Sequence, residues 1–214
     1  MRKLDRTAAP PPASLAHYKH GANTWNDLLP EHKEQIWAQL DQMQRRLCAY
    51  CEGSLDEGQH IEHFRRKSLH PRLTFAWVNL FGSCNREECC GHFKDTGGSP
   101  YNPDDLINPC DDDPDDFFRF YSDGTIRVRD GLSPTHQRRA TETLRVFNLQ
   151  AEHGRLRALR RQAFVGYEAL EGSIVEALLG FSEADRRDFI REEIQRTADE
   201  PFSTVIRHLF QDLL

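Results

Sequence analysis

The chain has 214 residues, of which 38% are hydrophobic and 29% charged, and its net charge is −6. That length supports a sizeable core, as one domain or one domain plus an appendage. No run of about 18 apolar residues occurs, which excludes a transmembrane helix. The opening MRKLDRTAAPPPASLAHYKH lacks the apolar stretch of a secretory signal, so a cytoplasmic protein is expected. The charge is unevenly placed. Residues 104–116, DDLINPCDDDPDD, hold seven aspartates and no Lys or Arg, and without them a net −6 would become +1. Local patches therefore say more about partners than the total does.

Residues 1–23, with APPPA, read as an extended arm or linker. From Pro30, PEHKEQIWAQLDQMQRRL sets Ile36, Trp37, Leu40, Met43 and Leu47 at helical spacing, with Glu31 near the start. This helix is expected to run straight into Cys48. CAYCEGSLDEGQHIEHF has Gly53 and Gly58 as punctuation around short strand-like pieces and suggests a tight hairpin. Leu73–Cys84, LTFAWVNLFGSC, is apolar and aromatic and should pack against it. After an acidic, proline-punctuated loop region, DFFRFYSDGTIRVR alternates around Asp123-Gly124, a hairpin signal. From Pro134 to Gly180 apolar residues recur at three and four, so this stretch reads as helical. Its Arg138, Arg139, Arg145, Arg155, Arg157, Arg160 and Arg161 read first as a solvated face. Ser182 can cap EADRRDFIREEIQRTAD, with Asp185 at the capping-box position. Phe202, Val205, Ile206, Leu209, Phe210 and Leu213 form a stripe on a last helix, core in the plain reading and a docking face in the alternative.

Six cysteines stand at 48, 51, 84, 89, 90 and 110. In a reducing compartment a CxxC followed by a second cysteine cluster points to zinc rather than disulfides. Zinc takes four ligands tetrahedrally: Cys48 and Cys51 supply one pair, Cys84 and either Cys89 or Cys90 the other. Four thiolates leave no open position, so this metal would be structural. Glu62 and His63 are adjacent, and on a strand they point to opposite faces, one toward a metal and one toward a water. A neutral imidazole can take a proton from that water near neutral pH. A divalent cation on a carboxylate and an imidazole can polarise a phosphate. Arg65, Arg66 and Lys67 suit phosphate positioning without base reading.

Glu62-His63, Asn79 in WVNLFGSC, and CCGHFK (Cys89–Lys94) resemble the HNH endonuclease motif on a zinc-stapled ββα-metal finger. The wider string, CAYCE, IEHFRRKS, FAWVNLFGSC, CGHFKD, INPCDDDP and FYSDGTI, is similar to the HNH nucleases of Septu antiphage systems, the PtuB-like proteins, and their retron-associated relatives. The match covers roughly residues 25–160. It implies a nuclease core over residues 24–130 of an α+β fold; the chain's own pattern adds residues 1–23 as an N-terminal arm and 131–214 as a helical region open to partner docking. It implies His63 as general base, Asn79 as its orienting residue, and Glu62 as the acidic ligand of a catalytic Mg²⁺ or Mn²⁺. Glycine (Gly91) stands at the family's other ligand position, so His92, one residue later, takes that role. Lys94 joins Arg65, Arg66 and Lys67 as a phosphate-binding candidate, and its spacing favours Cys90 over Cys89 as fourth zinc ligand. Arg66 stands where the family usually has proline. The resemblance further implies an ATPase partner of the PtuA type and DNA cleaved with weak sequence specificity. A zinc-stabilised, non-catalytic interaction subunit is the competing reading, and the joint presence of His63, Asn79, His92 and Lys94 argues against it. His60 and Cys110 have no assigned role.

Overall fold

The computed structural model describes residues 1–97, 100–150, 154–171, 178 and 180–211. Helix α1, Pro30–Gln44, starts with proline at its first turn, where a missing N–H costs nothing, and has Glu31 against the positive end of the helix dipole. It buries Ile36, Leu40 and Met43. The helix stops short of the expected Leu47. Arg45 and Arg46 both take left-handed backbone, φ 57° and 58°, and turn the chain back before Cys48.

The hairpin expected within residues 48–64 takes another form. One bridge, Leu47 to Ser54, closes a tight knuckle around Cys48 and Cys51. Strand β1, Gln59–His63, instead pairs antiparallel with β2, Leu80–Cys84, in the register Gln59 to Cys84 and His63 to Leu80. Helix α2, Cys90–Thr96, follows and packs on β2. A second antiparallel pair, β3 (Phe118–Phe120) and β4 (Ile126–Val128), forms where expected. Its turn needs Gly124: φ is +81°, and a Cβ there would run into the Arg157 carbonyl.

The stretch expected to be helical from 134 to 180 is interrupted. Helix α3, Pro134–Val146, ends at Phe147, which is fully buried and stacks on Tyr50 with ring centroids 4.1 Å apart. Asn148 then adopts φ 47°, and α4 begins at Arg155 and is described to Glu171. The remainder of that stretch, apart from residues 178 and 180, lies outside the described residues. Helix α5, Glu183–Arg196, is capped as expected: the Ser182 hydroxyl accepts from the Asp185 amide at 3.2 Å. Helix α6, Ser203–Gln211, and the preceding Phe202 bury Phe202, Val205, Ile206 and Phe210 against this same chain; Leu209 is half-buried, and Leu213 lies outside the described residues.

The N-terminal segment is not a free arm. Leu4, Ala9 and Leu15 are buried in the main core; the Leu4 amide donates to the Pro109 carbonyl at 2.8 Å, and the Trp77 indole donates to the Ala9 carbonyl at 3.0 Å. Prolines suit such a path, because they carry no N–H that burial would leave unpaired. The aspartate-rich segment is likewise fastened down. Asp104 pairs with Arg65 at 2.5 Å, Asp105 with Arg138 at 2.6 Å, Asp112 with Arg139 at 2.6 Å, and Asp115 with Arg207. The arginine series thus departs from a plain solvated face: several members meet acids, and Arg160 is buried over the Phe120 ring.

Candidate functional site

The knuckle brings Cys48 and Cys51 to the end of β2 and the start of α2. The Sγ atoms of Cys48, Cys51, Cys84 and Cys90 lie within 4.8 Å of one another, and all four residues are buried. Cys90 joins through φ 62°, held by its amide donating to the Phe147 carbonyl at 2.8 Å. Cys89 sits beside the set, its sulfur 3.5 Å from that of Cys90, but is not one of the four. Cys110 is elsewhere, against Met43 at 3.8 Å, a packed thiol. The four thiols perturb one another's ionisation unequally. Hydrogen bonding with Cys48 holds Cys51 well below the usual thiol range and pushes Cys84 up to about 12, while burial raises Cys90. The Gly53 amide donates to Cys51 at 3.4 Å, and the Arg86 guanidinium stands 3.9 Å from the same sulfur. These four buried cysteines could hold a metal such as zinc. The donor set fits it, with outer groups placed to offset the charge of four thiolates.

Strand β1 separates two environments. On one face, Glu62 is buried and forms an ion pair from Oε1 to Lys94 Nζ at 2.6 Å. Its Oε2 lies 3.3 Å from His60 Nε2. The pleat puts His60 and Glu62 on the same side. His60 also meets Asn85 Oδ1 through Nδ1 at 3.0 Å, and its ring stands edge-on to His92 with centroids 5.1 Å apart. Burial works against a charge on His60, yet Glu62 raises its pKa on balance. Desolvation likewise opposes the Lys94 charge, and Glu62 and Asp95 outweigh it.

On the opposite face His63 is buried, only 4% exposed. Nε2 lies 3.0 Å from the Thr74 carbonyl, which can only accept, so that nitrogen carries the hydrogen and Nδ1 is the free base. Trp25 covers the ring edge-on at 4.4 Å. Desolvation lowers the His63 pKa to about 4 despite that carbonyl, leaving a neutral imidazole near pH 7. Asn79 is buried just behind. Its Oδ1 accepts from the Arg65 amide at 2.7 Å, and its Nδ2 donates to the carbonyls of Arg65 at 3.0 Å and Leu73 at 3.2 Å. The side chain thus clamps the backbone that leaves His63.

The four phosphate-binding candidates are placed differently. Lys67 is exposed. Arg65 is taken by Asp104, and Arg66 pairs with Asp95 at 3.0 Å and lies over the Tyr101 ring at 5.0 Å. Lys94 does not fit the expectation. Its ammonium is buried between Glu62, the His63 carbonyl at 2.9 Å and Asp95, because a carboxylate buried at Glu62 needs a cation. The sequence reading left His60 without a role and did not single out Trp25 or Asn85. The signal for His60 was there: residues i and i+2 of a strand share a face.

No family model matches the chain. It is similar to the Septu protein PtuB of Bacillus thuringiensis, 33% identical over 107 residues. That stretch is 49% of this chain and 37% of the relative, so the chain covers well under two thirds of that protein's length. The resemblance to Septu PtuB-like proteins, read from the motifs around Cys48, Glu62-His63 and Asn79, is thus matched by a curated relative of that name.

Proposed function

We propose that the chain is a metal-dependent HNH endonuclease, a β1–β2–α2 finger stapled by zinc on Cys48, Cys51, Cys84 and Cys90. It would cut DNA with weak sequence specificity, as the effector of an antiphage system with a PtuA-like ATPase partner. The observation that carries this reading is the division of β1: a carboxylate, Glu62, faces one side while a neutral imidazole, His63, faces the other, with Asn79 fixing the backbone after it. Water adds to phosphorus as its proton passes to Nδ1 of His63; the bond from phosphorus to the leaving oxygen breaks, and that oxygen takes a proton from solvent. Glu62, with His92 beside it, would hold a divalent ion, whose charge would offset negative charge growing on the phosphate. Lys67, Arg65 and Arg66 attract the backbone; the two arginines must exchange Asp104 and Asp95 for phosphate.

A plasmid-nicking assay with Mg²⁺ or Mn²⁺, with and without the ATPase partner, tests this. Wild type should nick, and His63→Ala should nick at least about 100-fold more slowly. Nicking that ignores His63 or needs no divalent ion overturns the mechanism. Two observations favour the second reading, a zinc-stabilised interaction subunit: His63 lies under Trp25, and Arg65 and Arg66 are already paired. That reading predicts no nicking under any of these conditions.

A further inference from the structure

His60 belongs to neither the zinc staple nor the base, yet its surroundings are built. Its Nδ1 faces the side-chain oxygen of Asn85 at 3.0 Å. An amide oxygen only accepts, so Nδ1 carries a hydrogen, and Nε2 is the ring nitrogen that can bind either a proton or a metal ion. Nε2 faces Glu62 Oε2, 3.3 Å away. A proton on Nε2 joins the two groups at this distance, and a metal ion that displaces it would find an imidazole nitrogen and a carboxylate oxygen side by side. The other carboxylate oxygen is occupied by Lys94, which leaves Oε2 for that cation.

Gly91 sharpens the case. A Cβ at this position would lie 2.5 Å from Glu62 Oε2 and 2.9 Å from His60 Nε2. The first turn of α2 is therefore bare because two side chains from β1 converge over it. The glycine that seems to delete a ligand makes room for one arriving from the strand. His92, half-buried on the same helix with its ring 5.1 Å from that of His60, stands at the edge of this space. The His60 side chain is 27% exposed, so the site opens to solvent on one side.

We infer that His60 is a ligand of the divalent ion at Glu62, filling the place that Gly91 leaves empty. This rests on the nuclease reading above and deepens it. A carboxylate with one or two imidazoles suits Mn²⁺ and its transition-metal neighbours better than Mg²⁺, which prefers oxygen donors. The site should therefore favour Mn²⁺.

The test is Mn²⁺ titration of the zinc-loaded full chain, followed by electron paramagnetic resonance of free Mn²⁺, with nicking measured in parallel. Wild type should bind Mn²⁺ at a site separate from zinc. His60→Ala should weaken binding by about 10- to 100-fold, with zinc content and unfolding temperature held, and Gly91→Ala, whose Cβ presses on Glu62, should weaken it with zinc content held. His63→Ala should bind Mn²⁺ like wild type while losing nicking. Should His60→Ala lose zinc, His60→Gln decides, since it fills similar space without an imidazole nitrogen. Wild-type Mn²⁺ affinity in the His60 variant overturns the inference, and so does a wild type that binds no Mn²⁺. The nuclease reading fails separately, if wild type does not nick or His63→Ala nicks normally.

Discussion

Asn79 makes three hydrogen bonds with one amide, and all three partners are backbone groups. Replacing it by alanine strands a donor and two acceptors in a buried place, which should cost about 2–3 kcal/mol. Asn79→Ala should therefore lower the unfolding temperature as well as slow nicking, read by thermal unfolding beside the plasmid assay. A purely catalytic role would leave unfolding unchanged. At this scale the sequence was informative wherever chemistry is carried by residue type and spacing: Cys48, Cys51, Cys84 and Cys90 do converge. It was less informative where a side chain's role depends on its neighbours. Lys94 reads as a surface cation until the depth of Glu62 is known, and Gly91 reads as a missing ligand until His60 is seen above it.

Among the elements, the knuckle was the hardest to read. Its two left-handed arginines carry no glycine or asparagine to announce the turn, so α1 looked three residues longer than it is. The partner of β1 is not legible locally, because residues 64–79, a loop of short turns, separate the two strands. Local hairpin signals do work where the turn is local, as at Asp123-Gly124 between β3 and β4. The knuckle also gives a sharp expectation for the metal. Cys51→Ser should lose zinc and unfold at markedly lower temperature, whereas Cys89→Ser should keep a full equivalent, measured by mass spectrometry of metals. Equal zinc loss in both would mean that Cys89 shares the ligand role.

Across the whole molecule, the acidic segment behaves as a clasp rather than a solvated loop. Asp115 shows it best, tied to Arg207 and 3.2 Å from the buried His208 on α6. Burial opposes its ionisation, but hydrogen bonds from His208 and Arg207 hold its pKa down to about 2 from the ordinary 3.8. The folded state thus binds this proton more weakly than the unfolded chain. The contribution is present in full above about pH 4 and is lost as the pH falls toward 2. After allowance for solvent screening it is roughly 1–2 kcal/mol. Asp115→Asn should be less stable than wild type by that amount at pH 7, and the gap should close near pH 2 in denaturant melts. A gap independent of pH would mean that packing, not charge, is what the aspartate supplies. None of these pairings could be read from the sequence, which shows only that the acids are clustered.

One contact ties the knuckle to the last described helix. Glu52, next to Cys51, accepts from the Thr204 hydroxyl at 2.6 Å and amide at 3.3 Å, and the Phe202 amide donates to the Glu52 carbonyl at 3.1 Å. During synthesis the last of the four clustered cysteines, Cys90, is made more than a hundred residues before α6. The knuckle can therefore form, with any metal its four cysteines hold, in a partial chain, and α6 docks on it afterwards. Timing follows from position: the helix that arrives late closes over a knuckle made early.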